Sequence, residues 1–264
     1  MIIDKPIVMG IINVTPDSFY EESCQQGINT ILQKAAQMLA EGAAILDIGG
    51  QTTKPGSIEV GIAEESNRVL PVIAAIVSAF PNSYISIDTY HAAVAKAAVE
   101  AGACLVNDVS GGMMDAAMLP TVGALRVPYI CMHMQGTPQT MQQSPTYQHV
   151  TKNVLDFFIS RIEACRLAGI HDVIVDVGFG FGKTIAHNFE LLKELSALKI
   201  LDKPILAGLS RKSTIYKTLG ITANEALNGT TVLNTIALLN DANILRVHDV
   251  KEAVEAIKLV GKIG

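Results

Sequence analysis

The chain has 264 residues, 49% of them hydrophobic and 17% charged, and carries a net charge of −5. A composition this apolar excludes a disordered chain, and the acidic balance, the lack of a Lys/Arg stripe and the absence of Trp speak against a nucleic-acid partner. No apolar run is long enough to cross a bilayer, and the start MIIDKPIVMG has Asp4 and Lys5 where a secretion signal has its basic and apolar regions, so a cytoplasmic protein with no membrane partner is expected. The cysteines Cys24, Cys104, Cys131 and Cys165 form no CxxC pair and read as buried, reduced thiols.

In chain order, the first predicted strand is Ile7–Ile12, ending at Asn13, and a long segment, Val14–Gly27, follows. Ile28, Ile31, Leu32, Ala35, Ala36 and Leu39 recur at helical spacing, with Gly42 as the stop. Strand Ile45–Ile48 holds Asp47 and leads into a second long segment, Gly49–Gly61. Strand Tyr84–Ile87 ends at Asp88, and Leu105–Val106 runs into Asn107 and Asp108. Strand Tyr129–Met132 ends at His133, and Met134–Val150, which has no Asp, Glu, Lys or Arg, reads as a solvated connector. A helix carrying Val154, Leu155, Phe158, Ile159 and Ile162 stops at Gly169, and strand Val173–Val175 ends at Asp176. Ile205–Ala207 precedes Ser210, Arg211 and Lys212. Leu227, Val232, Ile236 and Leu239 mark a late helix, Ile244–Val247 carries Arg246 and meets His248, and Lys251–Val260 is a last helix. Most of these strands lack polar alternation, as expected for a parallel sheet covered on both faces.

EGAAILDIGG, AGACLVNDVSGG and AGIHDVIVDVGFG repeat one order: helix end, Gly, apolar strand, acidic or amide residue, Gly. About eight such βα units in a chain of this length predict the α/β class, as a single (β/α)8 TIM barrel over residues 1–264 in one domain. A doubly wound open sheet is the alternative.

In a barrel the strand ends converge on one face, where active sites of this architecture sit. A single Asp there caps a helix or closes a turn more often than it does chemistry. A whole ring of hydrogen-bonding side chains exceeds what capping requires. The ring combines acceptors (Asp88, Asp176), amides (Asn13, Asn107) and cations (Lys212, Arg246, His248), with no HExxH, CxxC or Ser–His–Asp spacing. That mixture suits a flat, nitrogen-rich heterocycle with an anionic leaving group, because a carboxylate can accept two parallel N–H bonds and cations can stabilise a departing diphosphate. The run VGFGFGKT (Val177–Thr184) misses a P-loop because Val177 stands where Gly is needed, and misses GxGxxG because Lys183 holds the last Gly position; it reads as a tight strand-to-helix turn.

MGIINVTPDSF (Met9–Phe19), DIGGQTTKPGS (Asp47–Ser57), SIDT (Ser86–Thr89), NDVSGG (Asn107–Gly112), MHMQGTP (Met132–Pro138), DVGFGFGKT (Asp176–Thr184), GLSRKS (Gly208–Ser213) and RVHDV (Arg246–Val250) together resemble the dihydropteroate synthase family of pterin-binding barrels along nearly the whole chain. The resemblance implies a transferase of folate biosynthesis, usually homodimeric and a sulfonamide target, that joins 6-hydroxymethyl-7,8-dihydropterin diphosphate to 4-aminobenzoate with Mg2+. It implies that Asp88, Asn107, Asp176 and Lys212 hydrogen-bond the pterin and that Phe181 is an aromatic wall. It assigns Asn13, Arg246 and His248 to the diphosphate, with Asn13 also a Mg2+ ligand, and gives catalytic roles to Lys212, Arg246, His248 and Asp88. Thr53, Lys54 and Pro55 match one mobile loop, and Asp17, Ser18 and Phe19 another; with Ser210 and Lys212 these border the aminobenzoate pocket.

The chain departs from the family pattern at Lys54, where Arg is usual, Gln51, where Glu is common, Val177, where Pro is common, and Gln139, where a basic residue is common. Lys offers a point charge where Arg offers a planar fork, so the Lys54 change bears on loop closure. Two other readings stand beside this one: a pterin-binding methyltransferase barrel that serves a corrinoid, and a paralogue that binds pterin without catalysis.

Overall fold

The computed structural model describes residues 3–14, 24–51, 60–137, 141 and 145–263. Eight strands, all parallel, close into a barrel in sequence order: β1 Ile7–Asn13, β2 Ile45–Gly49, β3 Tyr84–Asp88, β4 Leu105–Asp108, β5 Tyr129–Met132, β6 Val173–Asp176, β7 Ile205–Ala207 and β8 Ile244–Val247. Helices cover the outside: α1 Cys24–Glu41, α2 Ile62–Ala79, α3 Ala92–Glu100, α4 Met118–Leu125, α5 Val150–Leu167, α6 Ile185–Lys193, α7 Ser213–Leu219, α8 Leu227–Leu239 and α9 Val250–Val260. The architecture is the (β/α)8 barrel that the repeated units predict, with α7 and α8 both placed between β7 and β8.

Side chains alternate across a strand, so each strand feeds two cores. Outward residues such as Val8, Ile12, Leu46, Ile48, Ile85, Ile87, Val106 and Val175 are buried with helix residues such as Val69, Ile73 and Phe158. Inward residues form a separate plug of Met9, Ile45, Leu105, Ile130, Ile174, Leu206 and Ile244. Each such side chain, fully buried, contributes roughly 1.5–3 kcal/mol. Two residues further along the same strands stand Asp47, Asn107, Met132, Asp176, Gly208 and Arg246, on the same inward side and nearer the C-terminal mouth. The apolar plug is therefore the floor of a polar chamber.

Several strands run further than their apolar cores predict, through Asn13, Gly49, Asp88, Asp108 and Asp176. The ladder joins backbone groups and is indifferent to side-chain polarity, provided the polar side chain faces a cavity or a turn. Five helices, α2, α3, α4, α6 and α7, lie outside the periodic runs that predict helices in the sequence. Their sequences hide the signal: α2 contains Pro71, α4 contains Pro120 and Gly123, and α7 is seven residues long. Helix α1 begins at Cys24, before the first periodic residue, Ile28.

The segment expected to be a solvated connector is more tightly held than that. Met141 is buried, Gln135 Nε2 donates to the Thr146 carbonyl at 3.2 Å, and Tyr147 Oη donates to the Gly182 carbonyl at 2.8 Å.

Candidate active site

The chamber is organised by Asp47. It is fully buried, and its Oδ2 accepts from Arg246 Nε at 2.7 Å, Arg246 Nη2 at 2.6 Å and Asn107 Nδ2 at 3.0 Å. Arg246 Nη2 also reaches Asp88 Oδ2 at 2.5 Å. One guanidinium from β8 thus bridges carboxylates on β2 and β3, while β4 supplies an amide to the same oxygen. The register explains the convergence. Asn13 pairs with Gly49, Gly49 with Asp88, and Asp88 with Asn107, which places four successive strand ends in one row. Gly49 keeps that row open: a Cβ there would stand 3.6 Å from Asp88 Oδ2 and 3.8 Å from Asn13 Oδ1.

The second wall comes from β6 and β7. Asp176 Oδ1 accepts from the Gly178 amide at 2.8 Å. Gly208, at the end of β7, leaves a cradle: its Cβ position is 3.9 Å from Asp176 Oδ2 and 3.8 Å from Lys212 Nζ. Lys212 Nζ donates to the Phe179 carbonyl at 2.5 Å and sits 4.7 Å from the centroid of the Phe181 ring, a cation–π distance. Phe181, Met114 and Met134 pack on Tyr90, Val109 and Met132, forming an apolar patch beside the charged groups.

Ser210, Arg211, His248 and Asp249 tie the last two strand ends together. Ser210 Oγ lies 3.0 Å from His248 Nδ1 and accepts from the His248 amide at 3.2 Å. Arg211 makes a bidentate pair with Asp249, Nε–Oδ2 2.9 Å and Nη2–Oδ1 2.8 Å, and its Nη1 donates to the carbonyls of Ala223 and Asn224. It does so from a left-handed backbone, φ 55°. The pair consumes the Asp249 carboxylate, which makes no side-chain cap on α9.

Burial dominates the electrostatics. It holds Asp88 above the usual carboxylate range against the pull of Arg246, with Asp47, Asp108 and Asp176 adding in the same upward direction. It raises Asp176 likewise, against Lys212 and the Gly178 amide. Lys212 is brought down to about 8 by burial, with Asp176 opposing. His248 falls to about 4 through burial and the neighbouring Arg246 and Lys34 cations, so it is a neutral imidazole at pH 7. Burial alone would lower Arg246, but Asp47 and Asp88 reverse this and raise it. The arrangement offers hydrogen-bond acceptors on two walls, one adjustable cation at an aromatic face, and a permanent cation between the walls. It can hold a planar ring with adjacent N–H groups.

Of the residues singled out in the sequence, Asp88, Asn107 and Arg246 meet in one hydrogen-bonded group, Asp176, Lys212 and Phe181 in a second, and Ser210 and His248 in a third. Asn13 is exposed at the end of β1. Phe19, Thr53, Lys54 and Pro55, with Asp17, Ser18 and Gln139, lie outside the described residues. Four members of the strand-end ring prove to be structural partners. Asp108 turns the other way from Asn107 and accepts from Ser110, Gly112 and Tyr129. Asp47 holds Arg246, His133 faces Lys183, and Arg211 clamps Asp249. Strand alternation was the available signal for Asp108, since it adjoins an inward Asn107. Nothing local marked Asp47 as the hub. Gln51, one of the departures from the family pattern, donates from Nε2 to Tyr90 Oη at 2.6 Å.

Comparison with known proteins gives a consistent result. The family described as "Pterin binding enzyme" matches residues 9–248. A dihydropteroate synthase of Escherichia coli (strain K12) is 40% identical over 260 residues, 98% of this chain and 92% of the relative. A Yersinia pestis dihydropteroate synthase solved with a sulfonamide drug complex superposes with a TM-score of 0.93 at 41% identity, covering 100% of this chain and 96% of that one. A Xanthomonas albilineans dihydropteroate synthase in complex with 7,8-dihydropteroate gives 0.89 at 37% identity, covering 100% and 95%.

Proposed function

The chain belongs to the dihydropteroate synthase family of pterin-binding enzymes, and from that premise we propose how its barrel mouth does the work of the family. The reaction condenses 6-hydroxymethyl-7,8-dihydropterin diphosphate with 4-aminobenzoate to give 7,8-dihydropteroate and diphosphate. The observation that carries the assignment of roles is the pair of facing acceptor walls, Asp88–Asn107 and Asp176, with Lys212 between the cradle at Gly208 and the Phe181 ring.

The Asp176 carboxylate accepts from the ring N–H and exocyclic amine of the pterin, one to each oxygen, since Oδ1 keeps a lone pair beside its bond from Gly178. Asn107 and Asp88 take further ring nitrogens, and Lys212 donates to a ring acceptor while Phe181 covers the ring edge. Arg246 and the neutral His248 face the diphosphate. Arg246 stabilises charge as the methylene–oxygen bond breaks and the electron pair leaves with the diphosphate. The aryl amine of 4-aminobenzoate then attacks the methylene carbon and sheds a proton. An aryl amine is nucleophilic while neutral, so no strong base is required. Ser210, Phe19, Thr53, Lys54 and Pro55 are assigned to the diphosphate and aminobenzoate side.

Mg2+ fits this donor set as a companion of the substrate. Among the described residues no group of three or more His, Cys, Asp or Glu side chains stands ready for a metal. The amide oxygen of Asn13, beside the row that Gly49 keeps open, is the residue that would hold it. A hard cation that keeps its waters and binds diphosphate oxygens suits so sparse a protein site. When bound, it supplies Lewis-acid neutralisation of the diphosphate.

A homodimer belongs to the same reading. Helices α6, α7 and α8 pack on one another and leave Ile185, Phe189, Leu219, Val232 and Leu239 exposed, an apolar surface of the kind a second copy covers. A cytoplasmic location fits the free thiols of Cys104, Cys131 and Cys165. No helix of the described residues is long and apolar enough to cross a membrane.

The test is formation of 7,8-dihydropteroate, followed by mass, from the two substrates and Mg2+. Asp176→Asn and Lys212→Ala run in parallel and should each cost about 100-fold or more in kcat/KM. Folded wild-type protein that binds the pterin diphosphate but makes no product would leave a binding paralogue. Absence of both would reject the pterin reading.

A further inference from the structure

Lys183 follows a glycine-rich run at the start of a helix, where a lysine is often given to a phosphate. Here it points the other way. Its side chain is buried, 3% exposed. Nζ donates to the carbonyls of Gly178 at 3.0 Å and Phe181 at 3.1 Å, and lies 2.9 Å from His133 Nδ1 and 3.4 Å from the His133 carbonyl. An ammonium has three protons, and these acceptors engage all of them.

The same turn also carries the groups assigned to the pterin. The Phe179 carbonyl accepts from Lys212, and the Phe181 ring lies against that ammonium. Gly178, Gly180 and Gly182 all have positive φ, 66°, 84° and 62°. The turn is pressed closely onto the chain leaving β5: a Cβ at Gly178 would come within 2.0 Å of the His133 carbonyl oxygen, and one at Gly182 within 2.5 Å of that of Gln135. Tyr147 Oη and Asn188 Oδ1 bind the turn at Gly182 and Gly180.

We propose that Lys183 is a positioning residue for pterin recognition: it fills the inside of the Val177–Thr184 turn and thereby fixes where Phe179 and Phe181 hold Lys212. The inference rests on the pterin reading of the site given above. The surroundings of Lys183 suit the task. Burial brings it down to about 7, with Asp176 opposing, and burial together with Lys183 keeps His133 neutral by lowering it to about 2. A neutral His133 accepts at Nδ1, whereas a charged one would repel the ammonium.

The experiment is calorimetric titration of wild type, Lys183→Met and Tyr147→Phe with two probes, 6-hydroxymethylpterin and inorganic diphosphate. A positioning role predicts that Lys183→Met binds the pterin about tenfold or more weakly and binds diphosphate as wild type does. Tyr147→Phe, which loosens the same turn without emptying its interior, should weaken the pterin by about threefold on the same argument. Should Lys183→Met fail to fold, Tyr147→Phe alone decides. Unchanged pterin affinity in the folded variants overturns the proposal, as does an equal loss for both probes, which is the mark of general loosening. Loss of diphosphate alone would return Lys183 to a phosphate role. Wild type that binds no pterin would strike the functional reading itself, and this inference with it.

Discussion

Arg246 on β8 reaches over β1 to Asp47 on β2, with both Nε and Nη2 bonded to one carboxylate oxygen, across 199 positions of sequence. The contact joins a residue assigned to the leaving group to a carboxylate that holds both it and Asn107. Asp47→Ala should therefore cost about 3–5 kcal/mol of stability, toward the low end because Asp88 still pairs with Arg246. Asn107 would lose its partner as well, so pterin affinity should fall with it. Urea unfolding beside a pterin titration checks this, and a variant within about 1 kcal/mol of wild type would show that Asp47 is not the hub.

Arg211 is the second long-range tie. Lysine cannot reproduce its bidentate pair with Asp249 together with two carbonyl contacts. Because the side chain is 25% exposed, Arg211→Lys should cost only about 1–2 kcal/mol. The larger effect should appear in kcat/KM, since the clamp ties the chain segment that carries Ser210 and Lys212 to the one that carries His248. Thermal unfolding and steady-state kinetics together test the point; unchanged values in both would remove the clamp from the account.

The glycines after β6 differ in a way that substitution can read. Gly180 has φ 84°, and among the described residues a Cβ there meets only Lys212 Cδ, at 3.4 Å, so alanine should cost about 1–2 kcal/mol of backbone strain. Alanine at Gly178 adds a backbone clash at 2.0 Å and should cost about 4 kcal/mol or more. Equal losses at the two positions would contradict the close packing of the turn on His133.

Glu65 supplies a pH test outside the chemistry. It is 1% exposed, and burial pushes it up to about 7 against the pull of Thr89 and Arg68. A raised carboxyl binds its proton more tightly in the folded state, so its contribution is complete below about pH 4.5 and is lost as pH rises toward 7. Compared with Glu65→Gln, which cannot ionise, wild type should lose about 1.4 kcal/mol per pH unit between pH 5 and 7 and then level off. Urea midpoints of both proteins at pH 5, 6, 7 and 8 give the comparison. Parallel curves would mean that Glu65 is charged throughout.

The repeated βα units, the Gly stops and the apolar strands were enough to predict a barrel, because burial on both faces leaves a recognisable run in the sequence. The strand-end polar residues were legible for the same reason: each interrupts such a run. The sequence did not divide those residues into partners. Asn107 and Asp108 are adjacent and polar, yet one faces the chamber and the other a turn, and only register and strand alternation separate them. Lys212 and Arg211 are adjacent cations, one bound to the Phe179 carbonyl over Phe181 and the other to Asp249. Lys183 read as part of a loop and became the inside of one. The tertiary structure decided these matters because closing a sheared sheet brings β8 beside β1 and sets residues as far as 199 positions apart at hydrogen-bonding distance, a relationship that no local pattern encodes.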